Sequence, residues 1–266
     1  MAGIGPGQRV VEIGAGLGSL TAALAATGAS VTAIELDHRL AEILRSEAAP
    51  PGVRVVEGDA LRLDWDAVLA GGEAAGGEAA GGRPEGPGAE GAGPVGHAGV
   101  GAPWVLVANL PYNVATPLVI GLLETVPVIG RMLVMVQREV GERMAASAGE
   151  DAYGGVSAKI AYWATARVVG RVPATVFIPR PKVESALVSL ERRPVPAVGD
   201  GVSYARLVHL INAGFNKRRK MLRGSLSGLV DGSAFAQAGI EPTARAEDLS
   251  IEDWGRLAAA SPGAER

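Results

Sequence analysis

Between an apolar run at residues 9–13 and a helix-forming stretch at 17–27 stands Glu12-Ile-Gly14-Ala-Gly16-Leu-Gly18, with glycine at every second position. Such a turn lets the chain bend at positive φ, brings its backbone within reach of a ligand and aims a helix N-terminus at it. The alternation then repeats. Apolar runs at 31–35, 53–57, 104–108 and 132–137 interleave with helical patterns at 38–47 and 138–147. Strands alternating with helices predict an α/β fold on a parallel sheet covered on both faces. Two further β-like runs, 167–173 and 185–190, can close that sheet as an antiparallel pair.

Two segments break the rhythm. Residues 71–103 contain GGEAAGGEAAGG and little that can form a core, so they read as a flexible Gly/Ala/Glu-rich surface insertion between the third and fourth strands. Their acids, Glu73, Glu78, Glu85 and Glu90 against Arg83, account for the whole formal net charge of −3. After Pro194 and Pro196 the strand signals stop, and 203–213, 220–229 and 247–258 look helical. The expected organisation is an α/β domain over residues 1–195 and a small C-terminal all-α domain over 200–266.

Composition narrows the chemistry. The chain has no cysteine and only His38, His97 and His209, which excludes a disulfide scaffold and thiolate metal sites and disfavours any metal centre. The uncharged run 104–123 is long enough to span a bilayer, but Asn109, Pro111, Asn113, Thr116 and Pro117 interrupt it. With no cationic, apolar leader at the N-terminus, the reading is a soluble cytoplasmic protein without a membrane partner.

The glycine turn is not a dinucleotide fingerprint, because Ser19 stands where G-x-G-x-x-G needs its last glycine and Glu12 precedes the turn. Glu35, ending the second strand, stands where a carboxylate can accept both hydroxyls of a ribose. Asp59 follows the third strand, where it can meet an adenine. With Glu12, Gly14 and Gly16 in the turn, these acids suggest S-adenosylmethionine. Helix capping is the ordinary alternative for both acids.

Asn109-Leu110-Pro111-Tyr112 follows the fourth strand, at the carboxyl edge where open α/β folds bind ligands. The lone pair of adenine's exocyclic amine is delocalised into the ring, so a catalyst must accept its hydrogens and redirect that pair. The Asn109 side-chain carbonyl and the Leu110 backbone carbonyl are acceptors, Pro111 stiffens the turn, and Tyr112 offers a stacking face. An asparagine that merely bonds its own backbone is the bland alternative.

These motifs resemble the ribosomal RNA adenine N6-dimethyltransferases, in particular their bacterial small-subunit branch. The likeness runs from about residue 9 to 226. It includes Phe177-Ile178-Pro179-Arg180-Pro181-Lys182-Val183-Glu184-Ser185-Ala186, similar to the family's F-x-P-x-P-x-V-x-S-A. It also includes Phe215-Asn216-Lys217-Arg218-Arg219-Lys220-Met221-Leu222-Arg223, similar to F-x-x-R-R-K-x-L-R. The resemblance implies a Rossmann-like methyltransferase domain and methyl transfer from S-adenosylmethionine to two adjacent adenines near the 3′ end of 16S rRNA in the immature small subunit. It implies a target base flipped between Tyr112 and Phe177, and cofactor positions at Gly14, Glu35, Asp59 and Asn109. A monomer is expected.

Arg206, Lys217, Arg218, Arg219, Lys220 and Arg223 form an acid-free basic stretch within 201–230. Coincidence with the family motif points the residues from Lys217 to Arg223 toward RNA phosphate, with domain packing the alternative. Arg138 is a further RNA candidate, equally readable as an exposed charge at a helix start. One departure stands out. The family normally carries upstream of the glycine turn a helix and a Gln-x-Phe-Leu segment that covers the methionine end of the cofactor, whereas eight residues precede the first strand here. The expectation is either a misplaced start or an open cofactor site. Two other functions remain open: a large-subunit rRNA adenine methyltransferase of the antibiotic-resistance type, and a non-catalytic ribosome-assembly protein that binds RNA.

Overall fold

The computed structural model describes residues 2–71, 103–111, 113–178, 180–217 and 219–261. Its elements run β1 (Arg9–Ile13), α1 (Ser19–Ala25), β2 (Ser30–Glu35), α2 (His38–Ile43), β3 (Arg54–Glu57), α3 (Trp65–Leu69), β4 (Trp104–Asn109), α4 (Ala115–Thr125), β5 (Ile129–Gln137) and α5 (Arg138–Ala145). They continue as α6 (Gly155–Trp163), β6 (Ala164–Val172), β7 (Ser185–Arg192), α7 (Tyr204–Asn216), α8 (Leu222–Ser225), α9 (Gly232–Ala238) and α10 (Ile251–Ala260). The chain divides into two compact units. One comprises residues 2–71, 103–141 and 168–192, the other residues 142–167 and 193–261.

The first unit carries the seven-stranded sheet, in the order β3-β2-β1-β4-β5-β7-β6, except for residues 164–167 at the start of β6. β3, β2, β1, β4 and β5 pair in parallel and β7 runs antiparallel against β5. Residues 10–13, 31–35 and 104–108 are all buried, as strands covered on both faces must be. α1 starts two residues later than its pattern suggests, because Gly18 takes a left-handed φ of 83° as its N-cap. α4 escapes sequence reading because its apolar residues merge with β4, yet Pro117 falls in its first turn, where a missing N–H is tolerated. The last carbonyls around α4 have an acceptor's partner from across the sheet. The Arg192 guanidinium donates to the carbonyls of Leu122, Leu123, Val126 and Ile129, joining the end of β7 to the end of α4. The insertion at 72–102 lies outside the described residues.

The second unit is helical. Its core gathers Tyr153, Leu207, Leu210, Ile211, Leu222, Leu226, Phe235 and Trp254. α6 belongs to it, although Gly154 and Gly155 make its start look like a loop. Ser157 Oγ accepts the Gly154 N–H at 3.1 Å and donates to the Arg143 carbonyl. The helix read at 220–229 shortens to α8, because the Leu222 and Arg223 N–H groups are taken by the carbonyls of Ala244 and Pro242. Among the described residues, no helix is long and apolar enough to cross a membrane.

Two helix-interior glycines have opposite surroundings. A β-carbon on Gly214 in α7 would stand 2.5 Å from Cη2 of Trp254, which is wholly buried, whereas one on Gly121 in α4 would meet nothing within 4 Å. Gly121→Ala should therefore stabilise by roughly 0.5–1 kcal/mol through helix propensity. Gly214→Ala should destabilise by about 1–3 kcal/mol through overpacking, despite the same propensity gain. Urea unfolding of both variants checks the signs; stabilisation by both would mean that Trp254 yields without loss.

Candidate functional site

The glycine turn is bound to β2 at successive points. The N–H groups of Gly14 and Ala15 both donate to the Ile34 carbonyl, at 2.9 and 3.2 Å. The Gly16 N–H donates to Glu35 Oε2 at 2.7 Å, and the Asp37 N–H to Glu35 Oε1 at 2.9 Å. Glu35 is thus a buried clasp between two loops, while Asp37 caps α2 by accepting from the N–H groups of Arg39 and Leu40. Each Glu35 oxygen keeps a lone pair for a further donor. Asp59 holds a local turn, its Oδ1 accepting the Leu61 N–H at 3.0 Å, and the helix that follows is capped by Asp64 instead.

Glu12 is buried, 1% exposed; its Oε2 accepts the Thr21 hydroxyl at 2.6 Å, and its Oε1 has no partner among the described residues. Burial pushes its carboxyl up to about 7, against the lowering effect of the Thr21 hydroxyl and with a further rise from the Glu35 charge. At Gly14 (φ 76°) an added β-carbon would meet the Asn109 backbone carbonyl at 3.5 Å, so the turn and the end of β4 are neighbours. At Gly16 (φ 56°) it would meet nothing within 4 Å, leaving the backbone open to an approaching ligand.

Asn109 ends β4 with its side chain exposed; Leu110 is buried and donates its N–H to the Met135 carbonyl, and the Pro111 carbonyl accepts the N–H groups of Val114 and Ala115. Tyr112 lies outside the described residues. Phe177 is half-buried just after a 3₁₀ turn at Ala174–Val176. Its segment leads into β7 opposite Gln137, and Asn109 pairs with Met135, so both reach the same carboxyl edge of the sheet. Arg138, at that edge, pairs with Glu184 at 3.1 Å.

Sequence reasoning sought polar groups and passed over the aliphatics beside them. Leu17, 65% exposed, follows Gly16, Leu36, 67% exposed, follows Glu35, and Leu61 is also exposed. Their placement next to the glycine turn, Glu35 and Asp59 is the available signal. A buried carboxylate with lone pairs to spare, open glycine backbone and exposed aliphatic flanks fit S-adenosylmethionine. The orphaned Glu12 oxygen adds a buried acceptor beneath the turn.

In the second unit, Lys217 follows α7, Arg219 and Lys220 lie in a turn closed by the Lys220 N–H to the Lys217 carbonyl at 2.8 Å, and Arg223 is in α8. All four are exposed, with Leu222 buried among them as an anchor. Arg218 is outside the described residues. Arg206 is different: its guanidinium turns inward to the carbonyls of Leu229 and Ser261, a structural role.

A family model described as ribosomal RNA adenine dimethylase matches residues 2–261. Ribosomal RNA small subunit methyltransferase A of Cutibacterium acnes is 42% identical over 272 residues, covering 97% of this chain and 80% of its own. The protein of the same name from Thermobifida fusca is 40% identical over 270 residues, covering 97% and 82%. Among solved structures, a dimethyladenosine transferase from Plasmodium falciparum superposes with a TM-score of 0.67 at 21% identity, covering 96% of this chain and 90% of its own. The 23S rRNA methyltransferase ErmE gives 0.64 at 22%, covering 98% and 94%. At these identities the two structures bear on the fold, which is that of α/β Rossmann-like methyltransferases.

Glu12 supplies a pH test. Its carboxyl titrates near 4.5 when unfolded and at about 7 when folded, so the folded state binds the extra proton between these values. The associated stability is full below about pH 4.5 and lost as pH rises through 7. Glu12→Gln should remove that loss, up to about 3 kcal/mol. Melting curves of both proteins from pH 5 to 8 should converge at the acid end and part at the basic end, and parallel curves would refute the assignment.

Proposed function

Because the chain belongs to the ribosomal RNA adenine dimethylase family, we propose that it transfers methyl groups from S-adenosylmethionine to the N6 amines of two adjacent adenines near the 3′ end of 16S rRNA. The setting is the maturing small subunit in the cytoplasm, and the enzyme works as a monomer. The methyl donor contributes a sulfonium whose methyl group is electrophilic. Asn109 carries the reading, because it stands exposed at the carboxyl edge against the glycine turn.

Glu35 accepts the ribose hydroxyls, its position fixed by the N–H groups of Gly16 and Asp37. Asp59 accepts from the adenine amine, Leu36 covers the ring, and the backbone at Gly14 and Gly16 lines the chain between ribose and sulfur. Glu12 sets the turn from below through Thr21. On the RNA side, the Asn109 side-chain carbonyl and the Leu110 carbonyl accept hydrogen bonds from the N–H groups of the target amine. Its lone pair is thereby freed toward the methyl group without a proton-relay histidine. Tyr112 and Phe177 hold the flipped base by stacking. Lys217, Arg218, Arg219, Lys220 and Arg223 bind phosphate in the helical unit, and Arg138 reaches RNA only by sharing itself with Glu184. Relatives named for the small subunit, at about 40% identity, favour this substrate over the large subunit.

The direct test is incubation with labelled S-adenosylmethionine and unmethylated small subunits, followed by mapping of the modified nucleotides. Asn109→Ala should leave the melting temperature unchanged and cut methyl transfer by roughly two to three orders of magnitude. A loss below about threefold would remove Asn109 from the chemistry. Replacing Lys217, Arg218, Arg219 and Lys220 by Ala should weaken RNA binding and flatten its dependence on salt while leaving cofactor affinity intact. An unchanged salt slope would assign the cluster to packing instead.

A further inference from the structure

The segment between β6 and β7 carries an apolar surface with no task in the site described above. Ile178 is 100% exposed, Val176 61% and Val183 42%. Single exposed aliphatics are ordinary on a protein surface, but three within eight residues mark a contact surface. This segment is anchored at both ends. The Val176 and Phe177 N–H groups donate to the carbonyls of Pro173 and Ala174, and Ala174 is buried. At the other end, the Arg138 N–H donates to the Glu184 carbonyl and Ser185 enters the sheet opposite Gln137.

Two features say what such a surface meets. It opens at the carboxyl edge that Asn109 occupies, on the same unit. Between Ile178 and Val183 stand Arg180 and Lys182, both exposed and without an acidic partner among the described residues. Exposed aliphatics flanking exposed cations suit a polyanion with an apolar interior, which is a run of stacked bases between phosphates. Extruding a base forfeits its stacking, at a few kcal/mol, and an aliphatic side chain inserted at that step restores part of the lost contact. Isoleucine, stiff at χ1, gives up little rotamer freedom on insertion.

Resting on the reading of the substrate as ribosomal RNA, we propose that Ile178, with Val176 beside it, is a wedge that enters the base stack where the target adenine leaves it. Arg180 and Lys182 hold the adjoining phosphates. Ile178 is a positioning residue; it touches neither the methyl donor nor the reacting amine.

The test uses the full chain as wild type, Ile178→Ala and Ile178→Leu. Each is mixed with small-subunit RNA carrying 2-aminopurine at the nucleotide flanking the target adenine, whose fluorescence rises when that neighbour leaves the stack. Methylation of unmethylated small subunits gives kcat and KM, and calorimetry gives S-adenosylmethionine affinity. The wedge predicts that Ile178→Ala loses most of the fluorescence rise and about tenfold in kcat, with cofactor affinity within twofold of wild type, and that Ile178→Leu recovers most of both. Unchanged fluorescence and kcat in Ile178→Ala overturn it. So does a parallel loss of cofactor affinity, which would make Ile178 a cover for the cofactor, or a change in sedimentation, which would make it a contact between copies. A wild-type protein that methylates without any fluorescence rise overturns the wedge alone. One that neither binds nor methylates small-subunit RNA overturns the substrate reading with it.

Discussion

The site depends on one carboxylate. Glu35 sits almost wholly out of water, yet it receives the N–H of Gly16 from one loop and of Asp37 from another. A buried anion without donors would be costly, and these two bonds make the burial tenable while tying together the loops that end β1 and β2. The left-handed backbone at Gly14 and Gly16 follows from the same requirement, since it turns successive N–H groups inward. The cradle's shape is therefore set by the sheet beneath it. Any change that slides β2 against β1 moves the clasp, the turn and the open backbone at Gly16 together.

Arginine shows how context divides one residue type between structure and function. Arg192 and Arg206 spend their donors on backbone carbonyls, and burial lowers both below the usual arginine range. Arg219 and Arg223 stand exposed in or beside a short helix pinned by Leu222. The basic stretch that looks uniform in sequence is thus split, with Arg206 inside and the later cations outside. Helical spacing alone cannot separate them, because the carbonyls that capture Arg206 belong to Leu229 and Ser261, far along the chain.

Legibility followed the range of the interactions. Parallel strands buried on both faces, such as 31–35 and 104–108, declare themselves as apolar runs, and the glycine turn and the residues around Asn109 mark the carboxyl edge. Helices held by distant partners did not. α6 begins at a glycine pair and is buried in one core with residues as distant as Leu210 and Ile211; α4 is hidden by the apolar run of β4. The acids Glu12, Glu35 and Asp59 stand out by type, but the Glu35 clasp and the orphaned Glu12 oxygen do not, because both arise only when β1, β2 and α1 are packed. The aliphatics Leu36 and Ile178 escaped because exposure, not composition, sets them apart.

The strand order has a bearing on how the chain is made. β7 lies between β5 and β6, so when β5 and β6 have left the ribosome the hydrogen-bonding edge of β5 is still bare. It stays so until residues as far as Arg192 emerge. At about 5–20 residues per second, the interval from Gln137 to Arg192 lasts several seconds. During that time a nearly finished parallel sheet presents an open edge of apolar residues, the kind of template on which nascent chains pair wrongly. The arrival of Arg192 then does two things at once. It closes the edge and locks the end of α4 through Leu122, Leu123 and Val126. The last strand to be synthesised thus acts as the latch of the sheet, and the nascent chain is most vulnerable just before that strand arrives.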